Sequence, residues 1–122
     1  MVWKGAIIEE SLEDKSLLEF VKVVGTVEKE FGGEVVHFNK IELEESKKEE
    51  FIQKAMKSVK SGFYAYIVMD KLMYVLYPGR MFKFSRGYPE LEKAKMRGEL
   101  FGISKDQMPY EKFIEEPYYG LD

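Results

Sequence analysis

The sequence predicts an α+β domain in which a mainly antiparallel β-sheet carries two principal helices. The most apolar part of the chain, residues 63–84, is rich in Tyr, Val, Ile and Phe and is interrupted by turn residues, which is typical of consecutive strands. Two other segments, 46–60 and 89–101, place apolar residues at helical spacing. With 122 residues and 45% hydrophobic content, the chain is long enough to form one domain, 1–122, around its own core.

Two turns, at Asp70-Lys71 and Pro78-Gly79, divide residues 63–84 into three strands. A two-residue loop at Asp70-Lys71 predicts which residues of the first two strands face each other. The expected pairs are Met69 with Leu72, Val75 with Tyr66, Ile67 with Tyr74, Ala65 with Leu76, and Tyr64 with Tyr77. Both faces are then apolar, so we expect them to be covered by the protein's own helices or by another chain. A slip of one residue would exchange the faces, since Asp-Lys lacks the glycine that such turns favour.

The first part of the chain is predicted to add three strands. Residues 3–9 form a short apolar run, and a short helix is expected around residues 13–18. Residues 20–31 are predicted to be a strand because of the β-branched run VKVVGTV and the central glycine, with a helix over 16–31 as the alternative. Gly32-Gly33 then leads into a strand from residue 34. The resulting β-α-β-β-α-β order leaves a ferredoxin-like sheet with a C-terminal extension as the alternative fold.

The two principal helices have clear start signals. Ser46 and Glu49 have the spacing of a capping box ahead of an apolar stripe, and Pro89 suits the first position of the second helix. A short helix is expected over Tyr110–Glu115. The tail, 116–122, has too few apolar groups to fold alone, and it is predicted to be mobile or to dock on a neighbouring surface through Tyr118, Tyr119 and Leu121.

The composition indicates a cytoplasmic soluble protein. The chain has no cysteine, no signal peptide and no long apolar run. Charged residues make up 34%, against only two Gln and one Asn, a bias seen in proteins from hot environments. The 19 basic residues are mixed with 22 acidic ones, giving a net charge of −3 that disfavours nucleic acid as a partner.

The chain shows little that points to catalysis. His37 is the only histidine and a weak candidate for a general base, since a lone histidine beside apolar strand residues is more often structural. No metal site is predicted, because metal binding needs several convergent ligands. No phosphate-binding glycine motif is present, so no cofactor is predicted.

An aromatic set on one face of the central strands is the best candidate for a ligand site. In the pairing above, Tyr64, Tyr66 and Tyr77 share a face, and Arg80 is expected at its rim. Such a face could line a pocket for a small carboxylate or aromatic ligand. Core packing beneath a helix is the simpler interpretation of the same residues.

Three segments carry a resemblance to a known group of proteins: WKGAIIEESLEDKSLL, GFYAYIVMDKLMYVLYPGRMFKFSRGYPELEKA and GISKDQM. Together they resemble small uncharacterised proteins of prokaryotes, archaea especially. The resemblance implies a compact cytoplasmic domain and assigns no residue a role.

Three functional hypotheses follow, of which the first is preferred. The protein is expected to be a non-catalytic interaction protein that forms a homodimer, because two helices leave apolar sheet surface to cover. The alternatives are a small-molecule binding module that uses the tyrosine-rich face, and an enzyme whose acid-base groups are brought together by the fold.

Overall fold

A computed structural model of the chain describes residues 1–31 and 33–121. Its strands are β1 (Val2–Ile8), β2 (Lys22–Phe31), β3 (Glu34–Glu44), β4 (Ala65–Met69), β5 (Leu72–Tyr77) and β6 (Arg80–Phe84). Its α-helices are α1 (Lys48–Ser58), α2 (Pro89–Leu100) and α3 (Tyr110–Glu115). Single 3-10 turns span Glu9–Ser11, Lys15–Glu19, Glu45–Lys47 and Lys105–Gln107.

The strands form a six-stranded sheet in the order β2-β3-β1-β4-β5-β6, in which every neighbouring pair is antiparallel. The predicted α+β class with a mainly antiparallel sheet is therefore confirmed. The ferredoxin-like alternative describes the same first four strands, which lie in the order β4-β1-β3-β2, so that β1 runs parallel to β2 across β3 and β3 runs parallel to β4 across β1. β5, β6 and the C-terminal helices form its extension, and 3-10 turns occur where its first helix is expected. The position of β1 between β3 and β4 is the one that this split β-α-β arrangement requires.

The central hairpin has the predicted pairing from Ala65–Leu76 through to Met69–Leu72. Asp70 and Lys71 both have positive φ, at 51° and 67°, which is the backbone of the tight turn that matches strand twist. The hairpin forms this turn without a glycine, because the packing of both strand faces outweighs the local strain.

The strand interpretation of residues 20–31 is confirmed, and the helix alternative is wrong. β2 pairs with β3 along its length, from Lys22–Glu42 to Phe31–Glu34, with a bulge between Val23 and Gly25. The following turn includes Gly33, which has a φ of 86°, whereas Gly32 lies outside the described residues. β-branched residues favour extended backbone, and here they outweigh the helical stripe in the same segment.

Both faces of the central strands are covered by the chain itself. On the α1 face, helix α1 packs on a core that includes Trp3, Ile7, Ile41, Phe51 and Leu76. On the opposite face, here called the α2–α3 face, the C-terminal helices and the tail pack on a second core. Its members include Ala6, Tyr66, Val75, Phe84, Leu91, Tyr110, Phe113 and Leu121. In this part of the fold, no partner chain is needed to bury the central hairpins.

The start of α1 differs from its prediction. The helix begins at Lys48, its N-cap is Lys47, and no side chain caps it. Ser46 lies within the Glu45–Lys47 turn, so the predicted Ser46–Glu49 capping box is not formed. Pro89, by contrast, occupies the first turn of α2 as expected.

The tail packs against the protein's own sheet. The Tyr118 hydroxyl donates to the carbonyl oxygen of Ile41 at 2.8 Å, and Leu121 is buried. Tyr119 is partly exposed, and Asp122 lies outside the described residues. Across residues 1–31 and 33–121, no helix is long and apolar enough to span a bilayer.

Candidate functional site

A cavity of about 420 Å³ lies between the α2–α3 face of the sheet and the C-terminal segments. The sheet wall is formed by side chains of β1, β3 and β4, including Ile8, Val36 and Tyr66. The opposite wall comes from the loop after α2, from α3 and from the tail. The topology explains the site: the strand order places β1 between β3 and β4, and the last part of the chain closes over these three strands.

The cavity has a row of aromatic side chains along one side. Tyr66 stacks on Phe113 with ring centroids 4.2 Å apart and planes 16° apart. Tyr64 lies 6.3 Å from Tyr66, and Tyr119 lies 6.4 Å from Phe113. Each ring is held by its neighbours, so the wall is preformed rather than assembled by a ligand.

The hydroxyls of two of these tyrosines already donate hydrogen bonds. Tyr64 donates to the carbonyl oxygen of Gln107 at 2.5 Å, and Tyr66 donates to that of Pro117 at 2.6 Å. Burial raises the pKa of both phenols, so they are neutral at physiological pH. Because each proton is already donated to a carbonyl oxygen, either phenolic oxygen can take part in a further hydrogen bond only as an acceptor.

Charged and polar groups lie among the lining residues: Lys29, Glu34, Asp106 and Gln107. Among residues 1–31 and 33–121, no ion pair includes Lys29, Glu34 or Asp106. Glu34, Asp106 and Gln107 are exposed, and Lys29 is half-buried. The site is thus an apolar, aromatic cavity with charged groups among its lining.

Of the predicted ligand-site residues, Tyr64 and Tyr66 line the cavity, whereas Tyr77 and Arg80 do not. Tyr77 is buried in the core, where its hydroxyl donates to the Ala94 carbonyl at 2.7 Å and contacts the Tyr110 hydroxyl at 2.6 Å. Burial raises the pKa of Tyr77 to about 12. Arg80 is exposed and stacks over Phe82, with its guanidinium carbon 4.8 Å from the ring centroid.

His37 lies on the α1 face of the sheet, away from the cavity. Its Nδ1 is 2.6 Å from a carboxylate oxygen of Glu10, and its Nε2 is 3.3 Å from one of Glu28. Its backbone N–H also donates to Glu10 at 2.7 Å. The hydrogen bond to Glu10 raises the pKa of His37. Each carboxylate meets a different ring nitrogen, so the three groups do not converge on one point, and no metal-binding cluster occurs in the described part of the chain.

Several lining residues could not be identified from the sequence. Phe113, Tyr119 and Gly120 come from the C-terminal segments, and their meeting with β3 depends on how the tail crosses the sheet. The sequence signal for these residues is the aromatic content of the tail, which predicts a surface that docks on a neighbour but does not identify the neighbour.

Comparisons of the chain with known protein families, with curated proteins and with solved structures found no match. The resemblance to small prokaryotic proteins therefore stays a prediction, and only the site itself bears on function.

Proposed function

We propose that the protein is a binding module for a small, mainly apolar molecule held in the cavity on the α2–α3 face. The observation that carries this proposal is the cavity, whose volume of about 420 Å³ lies within the range of small-molecule sites. Its walls are apolar and aromatic, and a few polar groups accompany them, which is the usual composition of such sites.

The same geometry favours binding over catalysis. The only histidine of the chain, His37, lies on the other face of the sheet. The hydroxyls of Tyr64 and Tyr66 donate to backbone carbonyls, and the raised pKa of each phenol disfavours a role as a base.

Adjacent residues of β3 supply the test. Val36 lines the cavity and is 8% exposed, whereas Val35 points to the opposite face and is 52% exposed. The neutral fluorescent probe N-phenyl-1-naphthylamine should bind the native protein saturably. Val36→Trp should weaken binding at least tenfold by filling the cavity, whereas Val35→Trp should leave it unchanged.

Ile8→Trp fills the same cavity from β1 and guards against misfolding of the first variant. Circular dichroism checks that each variant keeps its fold. Equal binding by native protein, Val36→Trp and Ile8→Trp, or no binding by the native protein, would refute the proposal.

Self-association is a second candidate, supported by the free edge of the sheet at β2. Val23 and Val24 are 40% and 41% exposed there, and Val35 on the neighbouring strand is 52% exposed. An edge strand with exposed β-branched residues favours pairing with another chain. We infer a homodimer through this edge, although Tyr118 and Leu121 already pack within the chain.

Light scattering tests the homodimer directly. The expected mass is twice the 14.3 kDa of one chain, and Val24→Lys should return it to one chain. A native mass of one chain at micromolar concentration would exclude the homodimer and leave the ligand proposal untouched.

The composition also supports a cytoplasmic location, a warm habitat and a function without nucleic acid. These remain proposals, supported by the absence of cysteine, the scarcity of amides and the net charge of −3.

A further inference from the structure

Among the charged side chains that line the cavity, negative charges outnumber positive ones. Two carboxylates, of Glu34 and Asp106, lie among the lining residues against a single lysine, Lys29. The phenolic oxygens of Tyr64 and Tyr66 can only accept from a ligand, because their protons are donated to backbone carbonyls. The cavity therefore suits a ligand that donates hydrogen bonds better than one that accepts them.

The aromatic wall has the same preference. The face of an aromatic ring carries partial negative charge and attracts cations, most strongly where water is excluded. The protein shows this attraction beside the site, where the Lys112 ammonium lies 5.5 Å from the Tyr119 ring centroid. The ring of Tyr118, which belongs to the tail, has a similar contact, because the ammonium of Lys40 on β3 lies 5.8 Å from its centroid.

We propose that the ligand is an organic cation, in which an amine or ammonium group is attached to an apolar body. This inference rests on the proposed binding function. The apolar body fills the space against the aromatic wall, and the cationic group meets phenolic oxygens and the carboxylates of Glu34 and Asp106. A carboxylate ligand would instead find Lys29 as its only cationic partner among the lining residues and would be repelled by both acids.

Three probes that share one body separate the ligand classes: 2-naphthylmethylamine, 2-naphthylmethanol and 2-naphthoate, which are cationic, neutral and anionic at pH 7. Each competes with N-phenyl-1-naphthylamine for the cavity. The amine should bind at least about fivefold more tightly than the alcohol, and the carboxylate should bind most weakly. Tighter binding of the carboxylate than of the amine would overturn the inference and leave the binding proposal standing.

Substitutions of the charged lining residues test which of them cause the preference for a cationic ligand. The double variant Glu34→Gln with Asp106→Asn should reduce the amine-to-alcohol affinity ratio several-fold, whereas Lys29→Gln should increase it. Glu30→Gln is the matched control, because Glu30 belongs to the same hairpin, is exposed and does not line the cavity. An unchanged ratio in the double variant would overturn the inference, and failure of the neutral probe to bind the native protein would overturn the binding proposal together with it.

Discussion

His37 connects separate parts of the chain through one side chain. Its ring and its backbone N–H both bond to Glu10, which lies in the turn after β1, and its other nitrogen faces Glu28 on β2. The partners are carboxylates, so these contacts are strongest when the imidazole is protonated.

The first prediction concerns the pKa of His37. Because Glu10 favours the protonated ring, the pKa in the folded protein should lie above its ordinary value of 6.5. Stability from this contact is fully present below that value and is lost as pH rises through the folded pKa. The chain has one histidine, so proton NMR follows a single imidazole resonance.

Glu10→Gln should lower the pKa of His37 toward 6.5, and Glu9→Gln is the control, because the contacts of His37 are made by Glu10 and Glu28. A native pKa at or below 6.5 would mean that the contact with Glu10 does not form in solution.

A second prediction contrasts two glycines. A Cβ atom at Gly5 would lie 1.8 Å from the backbone oxygen of Tyr66, so Gly5→Ala must separate β1 from β4. At Gly25 the nearest atom, at 2.8 Å, belongs to the flexible side chain of Lys40, which can move away. Gly5→Ala should lower the unfolding free energy by about 3 kcal/mol or more, and Gly25→Ala by less than about 1 kcal/mol. Urea unfolding measures both, and equal losses would contradict the close approach of β1 to β4.

The sequence predicted some of the individual residues that line the cavity. The tyrosines at positions 64 and 66 line it because strand alternation puts them on one face. Tyr77 shares that face, yet α2 covers it, and a periodic pattern cannot show where a helix ends over a sheet. Phe113 and Tyr119 meet Tyr66 only through the path of the C-terminal segments, which no local pattern encodes.

Among the elements, the β4–β5 hairpin retains local strain at its turn. Both turn residues have positive φ, a conformation that costs a residue with a Cβ roughly 1–2 kcal/mol. Lys71→Gly should therefore raise the unfolding free energy by about 0.5–1 kcal/mol, even though it removes an exposed ion pair with Glu115.

Lys71→Ala is the control for this third prediction, because it removes the ion pair and keeps the Cβ atom. Thermal unfolding should rank the glycine variant above the native protein and the alanine variant at or below it. A glycine variant that is less stable than the alanine variant would exclude strain at this turn.

Helix α1 shows how tertiary contacts move a helix start. The Trp3 indole donates to the Glu45 carboxylate, and the Lys48 ammonium lies 5.4 Å from the Trp3 ring centroid and 5.2 Å from that of Tyr74. These contacts accompany a 3-10 turn at residues 45–47, which puts Ser46 in the turn rather than at the cap. The capping-box spacing in the sequence could not reveal this competition.

The fourth prediction follows from the start of α1 at Lys48, where no side chain caps the helix. Phe51 is fully buried against the sheet, so Phe51→Ala should lower the unfolding free energy by about 3–5 kcal/mol. Ser46 is exposed and does not cap the helix, so Ser46→Ala should change it by less than about 0.5 kcal/mol. Chemical denaturation of both variants is the measurement, and a loss near 1 kcal/mol for Ser46→Ala would indicate a cap in solution.

For the whole molecule, the sequence predicted the class of the fold and the need to cover both faces of the sheet. The apolar residues on both sides of β4 and β5 carried that prediction, and α1 and the C-terminal segments fulfil it. The order of the first four strands is that of the ferredoxin-like alternative, whereas the prediction of an antiparallel sheet did not by itself give the partners of β1, which long-range packing sets. The expected partner surface is correspondingly smaller and lies at the outer edge, around Val23 and Val24.

The pairing of β1 with β4 has a consequence for the order of folding. β4 and β5 meet through a two-residue turn, whereas Lys4 and Val68 of the β1–β4 pair are separated by about half of the chain. Closing that long loop costs more chain entropy, so we expect this pairing to form after the folding transition state. Gly5→Ala should then mainly accelerate unfolding and scarcely slow refolding in stopped-flow measurements. Slower refolding with an unchanged unfolding rate would show that the two halves of the sheet join early.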